Sequence, residues 1–230
     1  MPSLPVPESA PGPFDAPFDG VLLDLDGTLI DSIPAVERSW LRWCEEFGVD
    51  PYRLVGMHGV TAANVIAAVL PEDRRDAAHV RIREIEVADV DGILVLPGAA
   101  ELLRELADGA VPAAIVTSGT RDLAEARIAA TGLRHPPVVV TASDVERGKP
   151  WPDPWVEGAR RLQVEASRCL VVEDSVAGLR AARAAGCGAL VAVTTTSPAA
   201  DLAPHADLVL DDVSQLSRVV EHGRLRVPRA

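Results

Sequence analysis

The stretch VLLDLDGT, residues 21–28, joins a short aliphatic run to two aspartates and ends in a glycine turn. A run of this length that is apolar on both faces is typical of a central strand in a parallel sheet. Asp24 interrupts the run, and a carboxylate without a partner is costly in such a place. A divalent cation is its natural partner, so the stretch predicts a strand that ends in a cation-binding turn.

Similar runs recur along the chain, and helical patterns separate most of them. After the first run at 21–25, short runs rich in β-branched residues occupy 113–116, 138–140, 169–172, 189–193 and 207–210. Helical stretches cover about 97–108, 120–131, 153–163, 175–186 and 213–221. Strands that alternate with helices predict an α/β fold, a doubly wound parallel sheet with right-handed crossovers.

One interval, residues 32–92, breaks this alternation, because it contains helical patterns and no convincing strand. Apolar residues there recur at the spacing of one helix face: Val36, Trp40, Trp43, Cys44 and Phe47. The segments 61–70 and 72–88 also have helical patterns. We therefore expect a small helical cap at 32–92, inserted after the first strand, with Trp40 and Trp43 in its core. Its hinges are expected near 31–34 and 94–98.

The α/β core is then expected to comprise residues 18–31 and 93–222. Residues 1–17, MPSLPVPESAPGPFDAP, are too rich in proline for a helix or a sheet ladder. They predict a disordered leader. Residues 223–230 are expected to form a loose tail.

Composition limits the partners and the location of the protein. Hydrophobic residues make up 48% of the chain and aromatic residues 3%, which suits helix-on-sheet packing better than a stacking platform for bases. The formal charge of −12 and the lack of a basic run oppose binding to nucleic acid or to an anionic membrane. No apolar run reaches the ~18 residues of a membrane span, and no signal pattern opens the chain. We expect a soluble, cytoplasmic monomer.

The three cysteines, Cys44, Cys169 and Cys187, are scattered without CxxC spacing. This pattern argues against a zinc site or a disulfide framework and predicts buried thiols in a reducing compartment.

Polar residues follow four of the predicted strands. They are Asp24 and Asp26 after the first, Thr117-Ser118-Gly119 after the second, Lys149 in the loop after the third, and Glu173-Asp174-Ser175 after the fourth. Ligands of open α/β sheets bind beyond the carboxyl ends of the strands. The sequence therefore predicts that these side chains converge at one edge of the sheet.

Each group alone has a simpler interpretation. Thr117 and Ser118 could cap the helix that starts near Thr120, and Glu173 and Asp174 could cap the helix after them. Lys149 could be a solvated surface residue. All the groups together, in this order and at strand ends, favour a functional site over these separate structural roles.

The same residues carry a family resemblance. Asp24-x-Asp26-Gly-Thr28, Thr117-Ser118, Lys149-Pro150 and Glu173-Asp174-Ser175-x-x-Gly178 resemble the four motifs of the haloacid dehalogenase superfamily, over about residues 18–212. The helical insert resembles the first cap type of that superfamily. Three further stretches resemble its sugar and polyol phosphatases: VVTASDVERGKPWPDP (139–154), CLVVEDSVAGLRAA (169–182) and Met57-His58-Gly59.

The resemblance implies a Mg²⁺-dependent phosphatase that acts on a small phosphate ester, with Asp24 as the nucleophile that forms an aspartyl-phosphate. Asp26 would act as general acid and base. Asp24, the backbone carbonyl of Asp26, Glu173 and Asp174 would hold Mg²⁺, and which of the two last acids binds directly stays open.

The remaining motif residues would bind the phosphate. Thr28, Thr117, Ser118 and Gly119 are placed there by the resemblance, with Lys149 neutralising charge in the transition state. Asp153 is expected to organise the Lys149 loop. His58 in the cap either contacts the substrate or is an ordinary core or surface histidine.

Two alternatives to hydrolysis stay in view. The chain also resembles β-phosphoglucomutase, but that enzyme has Val in place of Thr28 and basic cap residues where this chain has His58-Gly-Val-Thr-Ala62. A site for a single phosphate favours hydrolysis over a mutase. A non-catalytic phosphate-binding protein of the same fold is the second alternative. Val60 stands where related sugar phosphatases often carry Lys or Arg, so the substrate stays open.

Overall fold

The computed structural model of the protein describes residues 12–55 and 61–228. Within these ranges the strands are β1 (Gly20–Leu23), β2 (Ile30–Asp31), β3 (Leu94–Val95), β4 (Ala113–Val116), β5 (Val138–Val140), β6 (Cys169–Glu173), β7 (Ala189–Val193), β8 (Leu208–Leu210), β9 (Val219–Glu221) and β10 (Arg224–Arg226). The α-helices are α1 (Ile33–Phe47), α2 (Ala62–Val69), α3 (Glu72–Ala88), α4 (Ala99–Asp108), α5 (Arg121–Thr131), α6 (Asp153–Leu162), α7 (Val176–Ala184) and α8 (Ala199–Leu202).

Six of the strands form one parallel sheet in the order β5-β4-β1-β6-β7-β8. The first strand in sequence lies near the middle, with Leu22 paired to Ala114 of β4 on one side and to Val171 of β6 on the other. The strand order reverses at β1, so the predicted doubly wound α/β fold is confirmed. The carboxyl ends of β1, β4 and β6 are therefore neighbours.

Both faces of the sheet are covered by helices, which explains why its strands are apolar throughout. Val21 and Leu23 of β1 belong to the core on the side of α4 and α5. Leu22, between them, belongs to the core on the side of α6 and α7. The alternation of side chains along a strand thus divides one aliphatic run between two hydrophobic layers.

Helices α1, α2 and α3 pack around a separate hydrophobic core. Trp43 is fully buried there, as expected, and its indole Nε1 donates a hydrogen bond to the carbonyl of Ala78 at 2.9 Å. Trp40 meets it edge-on, with ring centroids 5.2 Å apart. The chain leaves and re-enters the α/β part through β2 and β3, which pair in antiparallel fashion.

The other predicted elements agree with the structure to within two residues at their ends, except for the last helix. The helix expected at 213–221 is wrong. A short 3-10 turn occupies Val213–Gln215, and β9 then pairs with β10 as an antiparallel hairpin. His222 and Gly223 have φ values of 51° and 73°, and two such residues form the tight turn that joins hairpin strands.

The loose tail expected at 223–230 is also wrong for its described part. Leu225 is fully buried in the main core, and its backbone exchanges two hydrogen bonds with Phe18, at 2.7 and 3.0 Å. Of the predicted leader, residues 1–11 lie outside the described residues. Phe14 packs edge-on against Phe18, with ring centroids 6.3 Å apart. The first and last described segments of the chain therefore pair in the main core, just before β1.

The three cysteines are free and buried, as predicted. Among the helices that the structure describes, none combines the length and the apolar character needed to cross a membrane.

Candidate active site

Asp24 lies at the carboxyl end of β1, where the strand gives way to a turn. Its backbone N–H donates to the carbonyl of Val172 in β6 at 3.0 Å, so the sheet ladder fixes its position. Its side chain is only 7% exposed. A buried carboxylate at this point needs a compensating charge.

Lys149 supplies one such charge. Its Nζ donates to Oδ1 of Asp24 at 2.6 Å, to Oε2 of Glu173 at 2.7 Å and to the carbonyl of Val116 at 3.0 Å. These three acceptors satisfy all three N–H bonds of the ammonium. The ammonium also lies 4.5 Å from the centroid of the Trp155 ring. The alternative of a solvated surface lysine is therefore wrong.

The loop that carries Lys149 is tied by hydrogen bonds to the helix that follows it. The Lys149–Pro150 peptide bond is cis. Arg147 forms two hydrogen bonds with the carboxylate of Asp153, at 3.1 and 3.0 Å, which ties the start of the loop to the first residue of α6. Asp153 thus contacts the Lys149 loop, as expected from the sequence.

Three buried carboxylates, Asp24, Glu173 and Asp174, face one another at the ends of β1 and β6. Each offers an oxygen that lies within 4.8 Å of the others. Lys149 is the cation among them, so two negative charges stay without compensation. This arrangement of hard oxygen donors and excess negative charge fits one divalent cation such as Mg²⁺.

The pKa values reflect that excess charge. Burial and the neighbouring Glu173 raise the pKa of Asp24 to about 8, against the opposing effect of Lys149. Burial also raises the pKa of Asp174 well above its ordinary value, with Glu173 and Asp24 adding to the effect. Burial opposes the charge on Glu173, yet Lys149 and hydrogen bonds to Asp174 and Ser175 lower the pKa of this carboxyl. Without a metal ion, the cluster therefore favours protons on Asp24 and Asp174.

Glu173 and Asp174 differ in how many of their oxygens are already bound. Oε2 of Glu173 accepts from Lys149, while Oε1 accepts from the N–H groups of Asp174 and Ser175 and from the Ser175 hydroxyl. Oδ2 of Asp174 accepts from the hydroxyl of Thr196. None of the hydrogen bonds among the described residues goes to its Oδ1, so this oxygen has no protein donor there.

The alternative of a helix-capping role applies to Ser175 instead of the two acids. Its hydroxyl accepts from the N–H of Gly178 at 3.0 Å at the start of α7. Gly178 is required next to Glu173, because a Cβ there would collide with the Glu173 carboxylate.

Gly27 brings the turn after Asp26 close to Asp174. Its φ is +89°, in the left-handed region that favours glycine, and a Cβ at this position would collide with the carboxylate of Asp174. Thr195 donates to the carbonyl of Gly27. The backbone of the turn therefore closes over the carboxylate cluster at a distance that only glycine permits.

Asp26 lies beside this cluster, and three side chains hold it. The hydroxyl of Ser32 and Nη1 of Arg127 both donate to its Oδ1, each at 2.8 Å. The hydroxyl of Thr117 is 3.4 Å from its Oδ2. Its side chain is 24% exposed, in contrast to Asp24.

Thr117 follows β4 directly and is buried beside Asp26. Its hydroxyl accepts the N–H of Gly119 at 3.0 Å, so the loop folds back on itself and does not cap a helix. Helix α5 begins four residues later, at Arg121. Ser118 is exposed, and the hydroxyl of Thr28 is buried with no partner among the described residues.

The structure thus brings Asp24, Asp26, Thr117, Lys149, Glu173 and Asp174 to one edge of the sheet, with Thr28, Ser118 and Gly119 on the flanking turns. His58 lies outside the described residues.

Sequence reasoning missed Arg127, Ser32, Thr196 and Trp155. Only Arg127 left a signal in the pattern. It follows Leu123 by four residues, on the buried face of α5 that also includes Ala124 and Ile128. A charged residue on such a face indicates a partner at the same depth.

Known proteins resemble this chain over most of its length. The model of the haloacid dehalogenase-like hydrolase family matches residues 18–186. Hexitol phosphatase A from Escherichia coli (strain K12) is 41% identical over 202 residues, which span 86% of this chain and 93% of that protein. Glycerol-1-phosphate phosphohydrolase 2 from Saccharomyces cerevisiae is 33% identical over 201 residues, 80% of this chain and 78% of its own.

Among solved structures, a HAD family hydrolase from Deinococcus radiodurans R1, determined with bound phosphate and sodium, has a similar fold. It superposes with a TM-score of 0.69 at 31% identity and covers 88% of this chain and 95% of its own.

Proposed function

The chain belongs to the haloacid dehalogenase-like hydrolase family and is a phosphatase, and on this basis we propose that it hydrolyses a small sugar or polyol phosphate through a phosphoryl group carried on Asp24. One observation carries the proposal. The buried carboxylate of Asp24 is held by Lys149 on one oxygen within a cluster that has an excess of two negative charges.

The proposed cofactor is Mg²⁺, because the donors are carboxylate and carbonyl oxygens. Asp24, Asp174 and the backbone carbonyl of Asp26 would bind it. Asp174 is the better direct ligand of the two neighbouring acids, since its Oδ1 has no protein donor among the described residues while both oxygens of Glu173 are engaged. When bound, Mg²⁺ offsets the repulsion between the Asp24 carboxylate and the phosphate of the substrate.

Asp24 and Asp26 would divide the chemistry between them. An oxygen of Asp24 attacks phosphorus, the bond from phosphorus to the ester oxygen breaks, and Asp26 gives its proton to the departing alkoxide. Water then attacks the phosphorus of the aspartyl-phosphate and passes a proton to Asp26. The bond from phosphorus to the Asp24 oxygen breaks, which releases inorganic phosphate and restores both carboxyl groups.

Lys149 and Thr117 would stabilise the transferred group. Because Lys149 binds Oδ1 of Asp24, it leaves Oδ2 for the attack and places positive charge where the phosphoryl oxygens accumulate negative charge. The hydroxyl of Thr117, with the N–H of Ser118, would donate to those oxygens. In this arrangement the N–H of Gly119 is bound to Thr117, so its part is to orient that hydroxyl.

The unit of α1, α2 and α3 is proposed as the cap at 32–92, hinged where β2 and β3 connect it to the α/β core. A cap that closes over the substrate excludes water from the first step and contributes contacts to the alcohol part of the ester. His58 is proposed as one of those contacts.

The substrate class follows from the relatives. Hexitol phosphatase A and the yeast glycerol-1-phosphate phosphohydrolase are named for phosphates of small polyols. A site with one lysine and a compact carboxylate cluster fits a single phosphate group. We therefore place hexitol and glycerol phosphates first among the candidate substrates.

The test is release of inorganic phosphate from a panel of esters by the purified protein, with Mg²⁺ and with EDTA. The panel includes glycerol phosphates, hexitol phosphates, 2-deoxyglucose 6-phosphate, hexose 1- and 6-phosphates, phosphoglycolate and nucleotides. Selective release that EDTA abolishes is the expected result. Conversion of a hexose 1-phosphate to its 6-phosphate without free phosphate would point to a mutase. The absence of any reaction with every ester would point to a binding protein.

A further inference from the structure

Arg127 is a buried arginine for which the proposed mechanism has no role. It lies on the buried face of α5, which packs into the main core, and only 5% of the residue is exposed. A buried guanidinium is costly unless hydrogen bonds and opposite charges surround it. The carboxylates that contact the guanidinium therefore indicate the role of Arg127.

The guanidinium is shared between two carboxylates from different parts of the fold. Nη1 donates to Oδ1 of Asp26 at 2.8 Å, and Nη2 lies 3.6 Å from Oε1 of Glu86. Glu86 belongs to α3 of the helical unit, and its side chain is 15% exposed. Nε is buried and has no partner among the described residues. The pair with Asp26 is thus close and hydrogen-bonded. The pair with Glu86 is longer, and the Nε–H of Arg127 has no hydrogen bond among the described residues.

The contacts of Asp26 distinguish its two oxygens. Oδ1 accepts from both Arg127 and Ser32, which fills its lone pairs. Oδ2 has the hydroxyl of Thr117 at 3.4 Å, on the side of the proposed phosphoryl group. One oxygen is therefore fixed and the other is presented to the site. A general acid must hold its proton within hydrogen-bond reach of the leaving oxygen, so this orientation matters for the rate.

A second ion pair joins the same two helices at the surface. Arg83 of α3 lies 2.9 Å from the carboxylate of Asp122 in α5, and both side chains are about half exposed. As an exposed pair it adds little to the packing of α3 on α5, and it makes no contact with Asp26. It provides a matched comparison for Arg127.

We propose that Arg127 is a positioning residue for phosphoryl transfer: it binds Oδ1 of Asp26 so that Oδ2 faces the leaving oxygen, and Glu86 couples this orientation to the placement of α3. The inference rests on the proposed role of Asp26 as general acid. Loss of Arg127 should therefore harm only substrates whose leaving group needs a proton.

The test compares kcat/KM for a hexitol phosphate with kcat/KM for p-nitrophenyl phosphate (called the phenyl ester below). The p-nitrophenolate of the second substrate leaves without a proton. For each ester, kcat/KM reports on the steps up to release of the alcohol. The later role of Asp26 toward water therefore does not affect the value of kcat/KM. Asp26→Asn sets the benchmark, since it should lose activity on the hexitol ester far more than on the phenyl ester.

Arg127→Met should reproduce that pattern, with a loss of about 10²-fold on the hexitol ester, because a small misplacement of a reacting group costs that much. The phenyl ester should stay near its wild-type value, and Arg127→Lys should recover part of the loss. Arg83→Met, the control, should match the wild type on both esters. Equal losses on both esters, or none on either, while Asp26→Asn shows its pattern, would overturn the proposal.

Glu86→Gln decides the coupling to α3 and also serves if Arg127→Met does not fold. It should lower kcat/KM on the hexitol ester and not on the phenyl ester. Wild-type values on both would remove Glu86 from the proposal. A wild-type protein that turns over neither ester with Mg²⁺ would instead be a failure of the proposed function.

Discussion

The ammonium of Lys149 lies 2.6 Å from Oδ1 of Asp24, with both side chains almost entirely buried. Lys149 is the sole lysine of the 230-residue chain. It also binds Glu173 at 2.7 Å, so one cation holds two carboxylates at the ends of two different strands. The end of β1 and the end of β6 are thereby joined at the point where we place the phosphoryl group.

Replacing Lys149 with Met should lower turnover about 10²–10³-fold, since it removes a donor aimed at the developing charge. It should also lower the free energy of unfolding by up to about 3–5 kcal/mol, because two buried carboxylates lose their cation. Steady-state kinetics and urea denaturation measure the two effects. Arg160→Met, which breaks an exposed pair with Glu157, is the control and should change stability by less than about 0.5 kcal/mol. Turnover by Lys149→Met within a few-fold of the wild type would contradict this role.

The metal-free protein should become less stable as pH rises. The pKa of Asp24 is raised from 3.8 to about 8, so its contribution to stability is complete below about pH 4 and is lost as pH rises through about 8. Thermal unfolding in EDTA between these limits measures the slope, and Asp24→Asn should flatten it. Added Mg²⁺ should stabilise the protein more at pH 8 than at pH 6, since less proton has to be displaced. A slope that Asp24→Asn leaves unchanged would assign the effect to other groups.

Variants of Asp174 and Glu173 should differ in their affinity for Mg²⁺, measured by a titration of activity with Mg²⁺. Loss of a group that only orients a metal ligand weakens binding about 10–100-fold, and Glu173→Gln should fall in that range. Asp174→Asn should weaken binding further, because it removes a proposed direct ligand. The reverse order of the two variants would make Glu173 the ligand.

The hairpin of β9 and β10 should contribute to global stability. Leu225 is fully buried, so Leu225→Ala should lower the free energy of unfolding by about 2–5 kcal/mol. Val219, on the facing strand, is 41% exposed, and Val219→Ala should cost far less. Urea denaturation of the two variants gives the comparison. Equal, small effects would show that the hairpin is not part of the cooperative core.

The α/β fold and most of the site could be predicted from sequence for one physical reason. Central parallel strands are aliphatic throughout, so Asp24 and Glu173 stand out within or at the end of such runs. Because parallel strands share the direction of their carboxyl ends, residues after different strands could be grouped without knowing the strand order.

The hairpin and Arg127 could not be predicted in this way. Each strand of the hairpin has three residues, too short for a periodic pattern, and Leu225 is fixed by Phe18 at the other end of the chain. Arg127 and Asp26 are 101 positions apart in the sequence, and the pattern of the helix does not predict which carboxylate Arg127 contacts. Both depend on contacts between distant segments, which local spacing does not encode.

Transfer of the phosphoryl group through Asp24 is best examined by turnover of a hexitol phosphate by Asp24→Asn protein with saturating Mg²⁺. The amide keeps the shape of the side chain and leaves Lys149 paired with Glu173, so the thermal unfolding profile should show a folded protein. We expect phosphate release no faster than that of the wild type in EDTA. Release by folded Asp24→Asn protein at a rate near that of the wild type with Mg²⁺ would contradict it.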